Sequence, residues 1–208
     1  MLGKRKRTAT SSRNGAQRRR YAINRVPRGP RPSGDDVHYF KRNCIVGTIT
    51  SSTTVAVGSA YTFTLTNLPG YTEFTALFDQ YRLLKVMMQF IPATNVLTAS
   101  ATPLAHPVAV TAIDYDDGNT PTTTDELREF ETCKIVQPFK VHYVNVIPRI
   151  AAAVYSGAFT SFSNTKMWID SASPTVQHYG VKFIADASTA VQIWHVECCY
   201  YVACRNSR

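Results

Sequence analysis

Alternating apolar and polar residues predict β-strands along most of the chain after residue 37. In AYTFTLTN (60–67), Tyr61, Phe63 and Leu65 fall on one face and threonines fall on the other. In YRLLKVMMQFIP (81–92), the same period of two places four apolar side chains on one face: Leu84, Val86, Met88 and Phe90. Because side chains alternate across a strand, both segments are predicted to be half-buried strands of a sheet.

Six further segments have the composition of strands. They are residues 38–49, 108–115, 132–138, 140–147, 179–186 and 191–203. Eight strands with long connections and little helix predict an all-β fold, an antiparallel sandwich or barrel. The jelly roll is the eight-stranded form of such a sandwich, and it is the architecture that we expect for residues 37–208.

Helical signals are short. In TEFTALFDQY (72–81), helical spacing over about two turns relates Phe74, Leu77, Phe78 and Tyr81. In TTDELREF (123–130), Thr123 and Glu126 stand at the spacing of a capping box. Both segments are predicted to be insertions between strands. Residues 148–178 contain no clear long element, and loops of that length are usually functional or supported from outside.

The positive charge of the chain is confined to its start. Residues 1–31 hold eleven Lys or Arg and no acidic residue, whereas the rest holds twelve Lys or Arg and fourteen Asp or Glu. The net charge of +9 therefore divides into +11 for the first 31 residues and −2 for the remainder. Residues 1–36 also lack hydrophobic periodicity, so we expect a disordered basic N-terminal arm joined to a near-neutral domain.

Such an arm is suited to bind nucleic acid. Unpaired cations neutralise phosphates and release counterions, which gives strong, salt-sensitive and largely non-specific binding. The predicted nucleic-acid-binding residues are Lys4, Arg5, Lys6, Arg7, Arg13, Arg18, Arg19, Arg20, Arg25, Arg28 and Arg31. A membrane-surface role is less well supported, because the arm has no amphipathic apolar face.

The same residues have the form of a bipartite nuclear-import signal, in which two basic clusters flank a ten-residue spacer. The clusters are Lys4, Arg5, Lys6 and Arg7, then Arg18, Arg19 and Arg20. The alternative is that the arm only binds polyanions and that the spacing is incidental. The two roles are compatible, so we expect a nuclear-import receptor among the partners.

No constellation for catalysis or for a cofactor is found in the sequence. It contains no Gly-rich phosphate loop and no G-x-S-x-G, and its five histidines are scattered without metal-ligand spacing.

The cysteine cluster ECCYYVAC (197–204) does not fit a metal site. Strand alternation places Cys199 on the face opposite Cys198, and Cys204 lies about 20 Å along the strand from Cys198. We therefore expect these cysteines to be small buried side chains. The acidic loop DYDDGNTP (114–121) suggests a strand-ending turn, with calcium at a subunit contact as the alternative. We therefore predict no enzyme activity, no cofactor and no metal.

The site of synthesis is expected to be intracellular and reducing. The five cysteines are an odd number and form no disulfide framework. No secretory signal follows the basic start, and the longest apolar stretch contains Pro148 and Arg149. We expect no membrane insertion.

Three segments resemble a known family. FDQYRLLKVMMQFIP (78–92), MWID (167–170) and HYGVKF (178–183) are similar to segments of the capsid proteins of circular, Rep-encoding single-stranded DNA viruses, circoviruses and cycloviruses among them. The Arg-rich start matches as well, although here Ser, Thr, Asn and Gly dilute it. The resemblance covers most of the chain.

The resemblance implies a structural coat protein that self-assembles into a T=1 icosahedral shell of about 60 copies, with the arms on a single-stranded DNA genome. The resemblance also places the protein in the virion and in the host nucleus. It implies an unknown cell-surface attachment factor as a partner. It further suggests that Arg82 and Lys85 contact phosphates. Two alternatives stay open: a cellular nucleic-acid-binding protein with a basic extension, and the coat protein of a small RNA virus.

Overall fold

The structure is a computed structural model, which describes residues 37–93, 105–152, 161–163 and 167–207. Strands dominate it. They are β1 His38–Thr50, β2 Val57–Phe63, β3 Phe78–Pro92, β4 Ala109–Ile113, β5 Lys134–Val136, β6 His142–Val146, β7 Arg149–Ala152, β8 Ser161–Ser163, β9 Ile169–Asp170, β10 His178–Ala185 and β11 Ile193–Ser207. Helix is limited to α1 (Tyr71–Leu77), α2 (Thr124–Arg128) and a 3-10 turn at Leu65–Asn67.

The strands form two antiparallel sheets. In the first sheet the order is β1-β11-β3-β6, with β9 added beside β3. In the second the order is β5-β4-β10-β7-β8, with β2 on the other edge of β10. The long strands β3 and β11 form the centre of the first sheet, and β10 forms the centre of the second. This is the predicted all-β, antiparallel sandwich.

The core lies between the two sheets. Phe90 of β3 stacks on Phe183 of β10, with ring centroids 5.1 Å apart and planes inclined by 17°. Trp194 of β11 meets Phe183 edge-on at 5.2 Å. All three side chains are fully buried. Aromatic pairs of this geometry add about 0.5–1.5 kcal/mol each beyond the free energy of area burial, so this contact fastens one sheet to the other.

The alternation in 81–92 predicts the face of most residues of β3 correctly. Val86, Met88 and Phe90 are fully buried as expected. The predicted inward position of Leu84 was wrong. The β3–β11 pairing shifts at this point, so that Lys85 pairs with Tyr201 and Leu83 pairs with Val202. Leu84 is the extra residue of this bulge and is only half-buried, and Leu83 takes the inward position.

Two predicted boundaries were wrong. The segment 60–67 does not continue as a strand, because β2 ends at Phe63 and a 3-10 turn follows it. The backbone N–H groups of Leu65 and Thr66 donate to the carbonyl of Pro174 instead of to a neighbouring strand. The predicted helix 72–81 stops at Leu77, and Phe78 already begins β3.

The capping box of α2 is confirmed for its N-cap bond, whereas its second bond goes to Thr122 instead of to the N-cap Thr123. Thr123 is the N-cap, and its hydroxyl accepts a hydrogen bond from the backbone N–H of Glu126 at 3.4 Å. The Glu126 carboxylate reaches back to Thr122, where it accepts a hydrogen bond from the backbone N–H at 3.0 Å.

The eight predicted strands are all present. The segment 148–178, which was left unassigned, holds the three short strands β7, β8 and β9. Within the described ranges no helix is long and apolar enough to cross a membrane.

Candidate nucleic-acid interface

The eleven predicted nucleic-acid-binding residues, Lys4 to Arg31, lie outside the described residues. The point at which this segment joins the fold is described. β1 begins at His38, which is paired in register with Cys204 and whose ring packs on Phe78 at 5.3 Å. The arm is therefore attached at the end of the first sheet where β3 begins and β11 ends.

This end of the sheet carries a cross-strand row of two lysines and a tyrosine. Tyr201 pairs with Lys41 of β1 on one side and with Lys85 of β3 on the other. The two ammonium groups lie 5.9 and 5.8 Å from the centroid of the Tyr201 ring. Neighbouring residues of β11, Tyr200 and Val202, point into the core. The row therefore lies on the outward face of the sheet.

Two arginines extend the same face. The guanidinium groups of Arg82 and Arg205 each lie 4.5 Å from the centroid of the Trp168 ring. The Nε of Arg205 donates to Oε1 of Gln80 at 2.7 Å. Trp168 directly precedes β9, whose pairing with Gln80 and Tyr81 brings the indole beside β3. We call the surface formed by Lys41, Arg82, Lys85, Trp168, Tyr201 and Arg205 the basic face.

Acidic side chains lie at the margins of the basic face. Glu197 is four residues along β11 from Tyr201, which corresponds to about 13 Å. Asp170 of β9 is the register partner of Gln80 of β3. Its Oδ1 accepts a hydrogen bond from the backbone N–H of Ala172 at 2.8 Å. Single-strand binding sites combine cations, which contact phosphates, with aromatic rings, on which bases stack. The basic face holds cations beside aromatic rings, so it is chemically suited to a nucleic-acid strand.

Comparison with known proteins identifies the family. The sequence matches the family model of the circovirus capsid protein over residues 4–208. The chain belongs to the circovirus capsid protein family. It is accordingly a structural, non-enzymatic protein and a component of the virion. No curated protein matches the sequence.

Solved capsid structures share the fold of this circovirus capsid protein. The 60-mer BFDV capsid protein is 16% identical with a TM-score of 0.65, over 84% of this chain and 96% of that one. The decameric BFDV capsid protein is 18% identical with a TM-score of 0.59, over 82% and 100%. Tobacco necrosis virus is 10% identical with a TM-score of 0.59, over 83% and 97%. At these identities the likeness concerns the fold, a viral jelly roll.

The acidic loop of this capsid protein is neutralised by a lysine. The ammonium group of Lys182, on β10, lies 2.6 Å from Oδ2 of Asp114 and 2.5 Å from Oδ1 of Asp117. The hydrogen bond from Lys182 lowers the pKa of Asp117. Burial disfavours the charge of Lys182, yet the bonds to both carboxylates leave its pKa raised. The ammonium thus lies between two carboxylates of the acidic loop, which begins directly after β4 ends at Ile113, as expected for a strand-ending turn.

The cysteines are packed as small side chains. Cys198, Cys199 and Cys204 are all buried, and Cys198 and Cys204 belong to the core between the sheets. Among the residues that the structure describes, no three His, Cys, Asp or Glu side chains are grouped as metal ligands. The structure also pairs Cys44 with Cys198 across β1 and β11.

Four residues of the basic face were not anticipated: Lys41, Trp168, Tyr201 and Arg205. Arg82 and Lys85 were singled out, but Trp168 is 86 positions from Arg82 and Tyr201 is 116 positions from Lys85. In the sequence, MWID (167–170) shows only a resemblance to the family. Its tryptophan, Trp168, is the residue whose ring lies beside the guanidinium groups of both Arg82 and Arg205.

Proposed function

We propose that this chain assembles into a T=1 icosahedral shell and packages a single-stranded DNA genome through its N-terminal arm. The observation that carries the proposal is the division of charge, +11 in residues 1–31 against −2 in the rest of a circovirus capsid protein. A coat needs a neutral, self-associating body and a cationic segment that neutralises phosphates without reading base sequence.

The basic face supports the proposal by its position. It includes Lys41, three residues after the start of β1 at His38, together with Lys85 and Tyr201. Arg82 and Arg205 offer further cations on the same face. In this proposal the arm supplies most of the binding free energy, and the basic face orders the nucleic acid closest to the sheet.

Assembly is supported by the family and by exposed apolar side chains. The BFDV capsid protein forms a 60-mer, and icosahedral symmetry with one chain per position requires about 60 copies. Ile45, Ile135, Tyr143 and Ile147 are all more than half exposed in the single chain. Contacts between copies in a shell can bury exposed apolar side chains of this kind.

Nuclear import is the second role that we propose for the arm. Lys4, Arg5, Lys6 and Arg7 form one basic cluster and Arg18, Arg19 and Arg20 form the other. Arginine and lysine clusters separated by a neutral spacer fit an import receptor. The same residues would bind DNA after the receptor releases them. The host nucleus is then the place of assembly.

Deletion of residues 2–36 tests the packaging proposal. We expect the truncated protein to fold as a β domain and to lose its co-purified nucleic acid. The matched control replaces every arginine of the arm by lysine, which keeps the charge, and should retain the nucleic acid. If the truncated protein carries as much nucleic acid as the full chain, the arm is not the packaging element. Digestion of the retained material by DNase or by RNase separates the DNA-virus proposal from the RNA-coat alternative.

A further inference from the structure

Two cysteines face each other across the first sheet. Cys44 of β1 and Cys198 of β11 are direct partners in the antiparallel register, between the pairs Asn43–Cys199 and Ile45–Glu197. Direct partners share one face of a sheet. Cys198 is fully buried in the core, and Cys44 packs against the same core while staying partly exposed.

The register places the pair within reach of a disulfide. Directly opposite residues of an antiparallel sheet have Cα atoms about 4.5 or 5.5 Å apart, depending on whether they exchange hydrogen bonds. Disulfides span Cα separations of about 4.4–6.8 Å. Both kinds of pair fall in this range, so the Cα separation of the two partners permits the bond. No other two of the five cysteines are register partners.

A cavity gives a small reagent access to the pair. Its volume is about 210 Å³, and its lining includes both thiols together with Tyr61, Asn67 and Tyr200. The side chains of Ile45 and Val46, also in the lining, are largely exposed. A small reagent therefore meets the partly exposed Cys44 before it meets Cys198.

The two thiols differ in acidity. The neighbouring Cys198 thiol lowers the pKa of Cys44 against the opposing effect of burial. The neighbouring Cys44 thiol, together with burial, raises the pKa of Cys198. Since the thiolate is the nucleophile in thiol chemistry, Cys44 is the residue that attacks first, and Cys198 keeps its proton until the second step.

We propose that Cys44 and Cys198 form an oxidation site at which a small-molecule disulfide converts the two thiols into an intrachain disulfide between β1 and β11. In the first step the Cys44 thiolate attacks one sulfur of the reagent, forms a mixed disulfide and releases one thiolate. In the second step Cys198 loses its proton, and its thiolate attacks the Cys44 sulfur of the mixed disulfide, which breaks the bond to the reagent and releases the second thiolate. The two cysteines are oxidised and the reagent is reduced to two thiols.

The bond would fix the strand that carries the arm. β1 lies at an edge of its sheet, and of the described strands it pairs with β11 alone. A link between residues 44 and 198 closes a long loop, and long loops give the largest restriction of the unfolded chain. The reducing nucleus would leave the pair open, and an oxidising exterior would close it. This inference is independent of the proposed packaging of DNA.

The test uses the full-length protein and oxidised glutathione. After incubation the protein is denatured and the remaining thiols are alkylated. Proteolysis and mass spectrometry then identify whether each cysteine is free, bound to glutathione or cross-linked. We expect a cross-linked peptide containing Cys44 and Cys198, lost in Cys44→Ser and retained in the matched variant Cys133→Ser. A stable glutathione adduct on Cys44 with Cys198 still free, or a bond between Cys198 and Cys199, would overturn the proposal.

A second readout follows the wild-type chain alone and so does not depend on how a variant folds. We expect the unfolding midpoint to rise on oxidation and to return when the protein is reduced with dithiothreitol. An unchanged midpoint after complete cross-linking would contradict the inferred effect on β1.

Discussion

The ammonium group of Lys182 lies 2.6 Å from the carboxylate of Asp114, and both side chains are buried. Asp114 is the first residue of the acidic loop, directly after β4, and Lys182 lies on the central strand of the second sheet. A buried carboxylate needs a hydrogen-bonded partner, because its desolvation is costly. The pair therefore attaches the acidic loop to β10.

Removal of the lysine should destabilise the fold strongly. We expect Lys182→Met to lower the free energy of unfolding by about 3–5 kcal/mol, since it leaves a buried carboxylate without its partner. Urea denaturation of unassembled subunits measures the change. The matched control is Arg128→Met, whose partner Asp125 lies at 3.1 Å with both side chains exposed, and which should cost less than about 1 kcal/mol. Equal losses in the two variants would show that burial of the Lys182 pair has no special effect.

The stability of the domain should fall as the pH drops below about 6.5. His178 is buried, and its Nδ1 lies 3.0 Å from the carbonyl oxygen of Phe63. Burial lowers the pKa of His178 below its value in the unfolded chain, and burial acts in the same direction on His142. The unfolded state therefore binds more protons in this range, so this stability is present above the unfolded pKa and is lost as the pH falls through the folded one.

Unfolding midpoints at about pH 7.5 and about pH 5.5 measure this loss, in a range where ordinary carboxylates stay ionised. His178→Gln provides the comparison, because its amide N–H can donate to the same carbonyl but does not titrate. We expect the variant to show a smaller difference between the two pH values. An undiminished difference would assign the titration to another group.

The basic face should contribute to the salt dependence of DNA binding. Each phosphate contact on a single strand contributes about 0.7 to the slope of log affinity against log salt concentration. We expect Lys41→Gln with Lys85→Gln to reduce this slope by about 1.4 for an oligothymidine, measured by fluorescence anisotropy with the full-length protein. Arg128→Gln, on α2 beside the second sheet, removes a cation elsewhere and should leave the slope unchanged. A slope that the double variant does not alter would remove the basic face from the interface.

The import signal can be tested apart from the capsid. A fluorescent reporter that carries residues 1–21 should concentrate in nuclei. Replacing Lys4, Arg5, Lys6 and Arg7 by glutamine, or Arg18, Arg19 and Arg20 by glutamine, should weaken the accumulation, because a bipartite signal uses both clusters. An evenly distributed wild-type reporter would exclude import by this segment and would leave packaging untouched.

Local patterns predicted eight of the eleven strands that the structure describes; β7, β8 and β9 were not among them. Val86, Met88 and Phe90 are buried because a period of two places them on one face, whatever strand lies beside them. The same period misplaced Leu84, since a bulge depends on the pairing of β3 with β11 and leaves no local signal in either strand.

The arrangement of the candidate sites was beyond prediction for the same reason. Cys44 and Cys198 are 154 positions apart, and only the register of β1 with β11 makes them partners. The stacking of Arg82 and Arg205 on Trp168 likewise depends on the short strand β9, whose two residues carry no periodic signal. The charge of the arm, by contrast, is evident from composition alone.

Sedimentation velocity of the purified full-length protein tests the central claim most directly, when absorbance is recorded at the wavelengths of both nucleic acid and protein. About 60 copies of a 23.2 kDa chain predict one fast, homogeneous boundary of about 1.4 MDa that absorbs strongly as nucleic acid. A slow boundary near 23.2 kDa, still carrying nucleic acid at low and moderate salt, would contradict shell formation and favour a monomeric nucleic-acid-binding protein.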